Sequence, residues 1–183
     1  MQRMETVRKV KNGGPILFVF NEICYSSIQA GVGRLDSVYK ETDKQKRQEW
    51  RRVVRDELLA QLENKSSNKH IDRVERFIKN TRNEKILKGG RLSVGVAQKI
   101  LNLFLKYCWS LGWIDKPKDC PIDSRILNKL KCSLIYGPFS KMDRKKYLGV
   151  MEKIDKARAR KNESRAMWEF NEWENTRNAP REN

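Results

Sequence analysis

The sequence predicts an all-α protein, a compact single domain of about six helices around one central apolar helix. Apolar residues recur at steps of three and four in several segments of the 183-residue chain, the spacing of helices that bury one face. The segment from Ser93 to Trp113 is apolar in nearly every direction around a helix, so we expect it in the centre of the fold. Hydrophobic residues make up 38% of the chain, enough for a packed but small core.

The chain begins with a polar, basic stretch that ends in Gly-Gly-Pro, which predicts a flexible tail over residues 1–14. The apolar segment 16–30 favours a buried helix that ends near Gly31 and Gly33. Residues 41–63 place apolar groups at helical spacing opposite a face rich in lysine and arginine. We therefore expect one buried and one amphipathic helix in this part of the chain.

A polar loop at 64–68 precedes a short helix that ends before the pair Gly89-Gly90. One side of this short helix is apolar and is formed by Ile71, Val74, Phe77 and Ile78. Ser93 then precedes the central helix, where its hydroxyl suits the N-cap position.

A loop with two prolines follows the central helix, and Asp123 is well placed to cap the next helix. The pattern leaves the secondary structure of residues 133–139 open. Residues 142–176 are mostly helical and basic in pattern. We therefore expect one helical domain over 15–176 and a polar C-terminal tail over 177–183.

Lysine and arginine outnumber the acids by 40 to 23, for a formal net charge of +17. A chain this basic repels itself unless it meets a polyanion, so nucleic acid is the expected partner, with DNA favoured over RNA. The cations expected to contact phosphates form two clusters: Lys44, Lys46, Arg47, Arg51, Arg55, Lys141, Arg144, Lys145 and Lys146.

The composition also excludes several kinds of site. His70 is the only histidine, which rules out a multi-histidine metal site, and its place at a loop–helix junction predicts a surface residue. The four cysteines contain no CxxC pair and are expected as buried thiols: Cys24, Cys108, Cys120 and Cys132. We expect neither a metal nor a cofactor.

The N-terminal sequence has no apolar signal core, and no apolar run reaches the ~18 residues that a membrane span needs. These features predict a cytoplasmic protein with reduced thiols and no membrane partner. The oligomeric state stays open.

Lys99 and Asp123 are the candidate catalytic residues. Lys99 lies in an otherwise apolar helix, and burial lowers the pKa of a lysine because desolvation disfavours the ammonium form. A neutral amine is a nucleophile that can attack a sugar C1′ and form a Schiff base. A nearby carboxylate such as Asp123 can stabilise the positive charge that develops on the sugar.

The segments GVAQK at 95–99 and PID at 121–123 resemble the helix-hairpin-helix DNA glycosylases of the 8-oxoguanine type. That family has a Gly-Val-Gly-x-Lys element that opens one helix and a Pro-Val-Asp element that starts another. The resemblance implies that Lys99 is the Schiff-base nucleophile and Asp123 the essential carboxylate. It also implies a glycosylase-like fold.

The same resemblance implies that backbone N–H groups at Gly95 and Ala97 bind a DNA phosphate from a hairpin. It further implies that the enzyme flips an oxidised purine into a pocket, removes it and nicks the strand. Ala97 stands where the family has glycine.

Other interpretations stay open. The central helix also fits a buried helix with one narrow solvent-exposed polar face, formed by Lys99, Asn102 and Lys106. The aliphatic stems of the two lysines would then extend their ammonium groups to water. Asp123 also fits a helix cap without any catalytic role. The whole chain fits a non-catalytic helical protein that binds DNA or RNA, or a phage- or defence-related protein that binds an acidic partner.

Overall fold

A computed structural model describes residues 2–33, 38–63 and 70–178, and these residues form nine α-helices. They contain no strand, only one isolated bridge between Tyr39 and Leu87. The helices are α1 (Gln2–Asn12), α2 (Pro15–Val32), α3 (Lys44–Glu63), α4 (His70–Asn80), α5 (Val94–Ser110), α6 (Ser124–Lys129), α7 (Ser133–Tyr136), α8 (Arg144–Ala159) and α9 (Arg165–Asn178). The all-α prediction is confirmed.

The helix α5 lies at the centre, as its apolar composition predicts. Ile100, Leu101 and Phe104 are completely buried, and α5 packs against α2, α4, α8 and a short 3-10 turn at Phe139–Lys141. Phe20 of α2 meets the ring of Phe104 edge-on, with 6.0 Å between the ring centroids. The remaining helices surround this one buried element.

Two predicted helix caps are present. The hydroxyl oxygen of Ser93 accepts the N–H of Val96 at 3.1 Å and donates to the carbonyl of Ser140 at 2.7 Å. Asp123 caps α6 with its carboxylate. Both caps satisfy N–H groups that the first turn of a helix leaves unpaired.

The N-terminal region differs from the prediction. Residues 1–14 were expected as a flexible tail, but Gln2–Asn12 form a helix that packs on α2 and α3. Val7 and Val10 are buried. Because they are three residues apart, they lie on the same face of the helix. Arg3 also donates hydrogen bonds to the carbonyls of Gln61 and Leu62, so α1 docks through both apolar and polar contacts.

The C-terminal half also contains more helices than predicted. The expected helical region 142–176 is divided into α8 and α9 by a turn in which Asn162 has a φ of 52°. The ambiguous segment 133–139 contains the four-residue helix α7. The expected polar tail starts within α9, and its residues 179–183 lie outside the described residues, as does the predicted loop at 64–68.

All four cysteines are buried free thiols, as predicted. Burial raises the pKa of each of them above its ordinary value. Among the described helices, none has the combination of length and apolar composition that a membrane span needs.

Candidate active-site cleft

A cleft of about 870 Å³ opens beside the central helix and is lined by residues of α2, α5, α6 and α9. Lys99 and Asp123, which are 24 residues apart in the sequence, both line it. We call them the predicted pair. The other charged and aromatic side chains of the lining are two cations, one carboxylate and four aromatic rings: Lys106, Arg125, Glu169, Tyr107, Phe139, Phe170 and Trp173.

The immediate neighbours of the predicted pair are locked together by hydrogen bonds. The side-chain amide of Gln98 donates to the carbonyl of Ile122 at 2.7 Å, and its oxygen accepts the N–H of Ile122 at 3.0 Å. One turn further along α5, Asn102 donates to the carbonyl of Cys120 at 2.9 Å. Two buried amides of α5 therefore bind the segment before α6 and hold together the two parts of the backbone that carry the predicted pair.

Asp123 has a confirmed structural role at this wall. Its Oδ1 accepts the N–H groups of Arg125 and Ile126 at 3.0 and 3.2 Å, so the predicted cap exists. Both capping bonds end on the same oxygen, and capping therefore leaves Oδ2 unused. The side chain is half-buried and lines the cleft.

Lys99 is half-buried and packs on an aromatic ring. Its Nζ lies 4.4 Å from the centroid of the Phe139 ring. The negative face of an aromatic ring attracts an ammonium group. Phe139 thereby fixes the lysine head at the edge of the cleft.

Lys106 and Glu169 form a buried ion pair in the same cleft. The Nζ of Lys106 lies 2.7 and 3.0 Å from the two carboxylate oxygens of Glu169, and the side chains are only 13% and 6% exposed. Burial raises the pKa of Glu169 even though Lys106 acts in the opposite direction. A pair this buried costs desolvation energy on both sides, so its geometry must be held closely.

The same lysine organises two aromatic rings of α9. The Nζ of Lys106 lies 5.3 Å from the centroid of Phe170 and 5.2 Å from that of Trp173. One buried cation therefore contacts the carboxylate and both rings that α9 contributes to the cleft. The aromatic wall is fixed before any ligand enters.

The alternative interpretation, that Lys99, Asn102 and Lys106 form a solvent-exposed stripe along α5, is wrong for two of these three residues. Asn102 is 1% exposed and Lys106 is paired with Glu169. The polar stripe holds together buried parts of the fold. Sequence spacing cannot distinguish a stripe that faces water from one that faces polar partners in other helices.

A second buried carboxylate anchors α9 from another side. The oxygens of Glu172 lie 2.8 Å from Nζ of Lys129 and 2.7 Å from Nζ of Lys161. Burial acts to raise the pKa of Glu172, but the two lysines outweigh it and hold that pKa below its ordinary value. Glu169 and Glu172 thus tie α9 to three other parts of the chain.

The predicted phosphate contact at Gly95 and Ala97 is wrong. Both residues are buried, and the N–H of Gly95 donates to the carbonyl of Met142 at 3.1 Å while that of Ala97 donates to Ser93 at 3.0 Å. An N–H that is buried and already paired cannot reach a DNA phosphate. Gly95 serves close packing instead, because the backbone of Phe139 lies directly against its Cα.

The predicted cations of α3 lie at the surface or partly buried in it: Lys44, Lys46, Arg47, Arg51 and Arg55. The guanidinium carbons of Arg47 and Arg51 lie 4.6 and 5.9 Å from the centroid of the Tyr39 ring. Arg55 pairs with Asp56 at 2.7 Å. This face is positive, and Tyr39 limits the freedom of its two central arginines.

The four cations of the second predicted cluster, at 141–146, differ in exposure and in pairing. Lys141 and Lys145 are exposed, and Lys146 is half-buried. Arg144 forms an ion pair with Glu75 of α4 at 2.6 Å, and this hydrogen bond raises the pKa of the guanidinium. Arg144 is therefore the least available of the four for a phosphate.

His70 is wrongly predicted as a surface residue. It begins α4, its side chain is 15% exposed, and its Nδ1 lies 3.3 Å from Oδ2 of Asp119, which is 3% exposed. Arg165 at the start of α9 pairs with the same Asp119 and bonds Asp155 of α8 at 2.8 Å. These contacts join α4, α8 and α9, and they pull the pKa of Asp155 down to about 2, chiefly through Arg165.

We expect His70 to make the fold less stable in acid. Burial lowers its pKa, so between that value and about 6.5, the ordinary value, the unfolded chain binds a proton that the folded chain does not. Stability then falls as the pH drops through this window. Urea unfolding of the wild type and His70→Gln at pH 7.5, 6.5 and 5.5 measures the difference. The stability gap between the two proteins should change across this range, and a constant gap would show that His70 does not titrate differently on folding.

The fold and the cleft together define the protein as a basic all-α domain with a lysine–carboxylate cleft. No group of three or more potential metal ligands is present in the described part of the chain. Comparison with known proteins finds no family model that fits the sequence, no similar curated protein and no solved structure that matches. The glycosylase resemblance therefore rests on residues 95–123 alone.

Proposed function

We propose that this protein acts on DNA as a glycosylase and lyase that removes an oxidised purine, with Lys99 as the nucleophile and Asp123 as the stabilising carboxylate. One observation supports this most strongly. Lys99 and Asp123 line one cleft, and the buried amides of Gln98 and Asn102 fix the segments that carry them. Attack at C1′ requires a lysine and a carboxylate in the same cleft.

The reaction begins at the amine of Lys99. Its ammonium form first gives a proton to water, because only the neutral amine is a nucleophile. Its lone pair then bonds to C1′ while the bond from C1′ to the base breaks. The base leaves with that electron pair and takes up a proton from water, and Asp123 faces the positive charge on the sugar. The nitrogen now bonded to C1′ loses a proton, O4′ takes one up, and the sugar ring opens as the C1′–O4′ bond breaks, which gives an imine on Lys99. Water then removes a proton from C2′, and the electron pair of that C–H bond expels the 3′ phosphate and cleaves the strand.

The protein's charge supplies the binding energy for a polyanion. The net charge is +17, and the exposed cations of α3 and of the 141–146 region offer phosphate contacts. Six to ten such contacts would reduce affinity by roughly 10³–10⁵ between 50 and 200 mM salt. Aromatic residues at the cleft, among them Phe139 and Trp173, suit the flat face of a base.

Borohydride trapping tests the mechanism directly. Labelled duplexes with 8-oxoguanine, uracil or an abasic site are incubated with the protein, and the imine is reduced to a stable covalent adduct. We expect a covalent band with the wild type and none with Lys99→Gln, which keeps the size but not the nucleophile. DNA affinity of that variant should stay within a few-fold, because Lys99 is one of many cations.

A matched control is Lys85→Gln, which alters an exposed lysine outside the cleft. It should give the same band as the wild type. A band that persists in Lys99→Gln would show that another amine is the nucleophile. A band with the abasic duplex alone would show only a reactive amine near DNA.

A second candidate function is non-catalytic binding of nucleic acid. One observation favours it: Asp123 already caps α6, a role that needs no chemistry. Tight, salt-sensitive binding without a covalent band on any of the three duplexes would select this alternative.

A further inference from the structure

A second surface feature lies on α7, outside the lining of the cleft. Leu134 is 100% exposed and Ile135 is 64% exposed. We call these two side chains the α7 tip. Leu148 of α8 is also exposed, and it precedes Gly149, against which Tyr136 of α7 packs. Leu134 and Ile135 are adjacent in the sequence, so the α7 tip is an exposed aliphatic feature.

The α7 tip is held on a rigid base. Cys132 is completely buried, and its N–H donates to the carbonyl of Leu127 at 3.0 Å. The N–H of Gly137 donates to the carbonyl of Ser133 at 2.8 Å and closes the helix. Lys131 and Gly137 on either side both have left-handed backbones, with φ of 51° and 69°. A lysine in that conformation is strained, so the fold accepts strain to project the tip.

Positive charge accompanies the tip on both sides in the sequence. Lys131, Lys141 and Lys145 are exposed, and none of them forms an ion pair with another described residue. Lys153 lies close enough to the thiol of Cys132 to influence its pKa. The chain on both sides of the tip is therefore basic, and its charge is complementary to an anionic partner.

We propose that the α7 tip inserts between adjacent base pairs of a nucleic-acid duplex, while the three exposed lysines contact the flanking phosphates. The inference rests on the nucleic-acid partner of the proposed function and adds that this partner is double-stranded and is bent on binding. Proteins that kink a duplex insert apolar side chains such as leucine and isoleucine between neighbouring base pairs. A lipid surface is a poorer fit, because two aliphatic side chains insert less apolar surface than the acyl chain that membrane anchoring needs beside a basic patch.

A fluorescent base in the duplex tests the insertion. The probe is a duplex with one central 2-aminopurine next to a mismatch, and the comparison is the single strand of the same sequence. Wild-type protein should raise the fluorescence as the stack opens. Leu134→Ser/Ile135→Ser should abolish this rise and weaken duplex binding by about tenfold, whereas single-strand binding stays unchanged. Both side chains already face water, so the double variant should unfold at the same urea concentration as the wild type.

Val53→Ser is the matched control, because Val53 is exposed among the cations of α3. It removes an exposed aliphatic group elsewhere and should change neither fluorescence nor affinity. The same proteins are also mixed with vesicles of phosphatidylcholine and phosphatidylserine.

The possible results separate the two proposals. A fluorescence rise that is unchanged in the double variant overturns the insertion, even if borohydride trapping succeeds. A rise that the double variant abolishes supports insertion, even if no covalent adduct forms. A wild type that binds no nucleic acid overturns both. Loss of vesicle binding alone in the double variant overturns insertion in favour of a membrane surface.

Discussion

Replacement of Lys106 by methionine should destabilise the fold by about 3–5 kcal/mol, the cost of leaving a buried charge without its partner. Glu169 is 6% exposed, and Lys106 donates to both of its oxygens. Methionine has a similar length, so loss of the charge dominates over loss of volume. Urea unfolding at neutral pH measures the change in the free energy of unfolding.

The effect of pH identifies the cause. The pKa of Glu169 is already raised in the folded protein, and removal of Lys106 raises it further because the opposing charge is gone. The folded variant then binds a proton that the unfolded chain lacks, so its stability falls as the pH rises through that window. The deficit of Lys106→Met should therefore be larger at pH 7.5 than at pH 5.

Two controls isolate the buried pair. Lys9→Met removes a lysine whose partner Glu5 is exposed, an i,i+4 surface pair, and should leave the unfolding midpoint almost unchanged. Lys106→Met/Glu169→Leu removes both charges and should recover most of the loss. If Lys106→Met costs no more than the surface control, the ion pair does not hold α9 in place.

The fold was predictable wherever local chemistry decides it. Ser93 and Asp123 cap helices because a side-chain oxygen before an apolar run satisfies the first N–H groups, whatever surrounds it. The central position of α5 follows from apolar residues on nearly all of its sides. In contrast, α1 was missed because only Val7 and Val10 signal burial within a basic segment.

The cleft was predictable only in part. Lys99 and Asp123 stood out because each breaks a local pattern, and both line the cleft. The ion pair of Lys106 and Glu169 was not predicted, because the two residues are 63 positions apart. The sequences of α5 and α9 do not indicate which face of one helix packs on the other. His70 was missed for the same reason: its partner Asp119 lies in a distant loop. Long-range polar pairs of this kind leave no periodic signal in one sequence.

Gly95 shows how a correct residue can receive a wrong role. A glycine at the start of a helix has two common explanations, backbone approach to a ligand or close packing within the protein. The sequence does not distinguish them, and the resemblance favoured the ligand. The structure places the carbonyl of Phe139, from the 3-10 turn before α8, against the Cα of Gly95.

Gly95→Ala should therefore destabilise the fold by about 1–3 kcal/mol or more, the usual cost of inserting a group into a packed site. Helix propensity alone predicts a gain of up to about 1 kcal/mol, so the two explanations differ in sign. An added methyl would overlap the carbonyl oxygen of Phe139 and lie 2.9 Å from Cβ of Met142. Backbone cannot move aside as a side chain can, so the whole turn must shift, and Phe139 carries the ring on which Lys99 packs.

Gly149→Ala is the matched control in a helix of the same protein. Its added methyl would meet the hydroxyl of Tyr136 at 2.7 Å, and the end of a side chain can rotate away. The gain in helix propensity and the cost of displacing Tyr136 then offset each other. The free energy of unfolding of Gly149→Ala should therefore remain within about 1 kcal/mol of the wild type. Urea midpoints of both variants decide the matter. If Gly95→Ala is as stable as Gly149→Ala, the close contact between Gly95 and the backbone of Phe139 is absent, and the packing role of Gly95 is wrong.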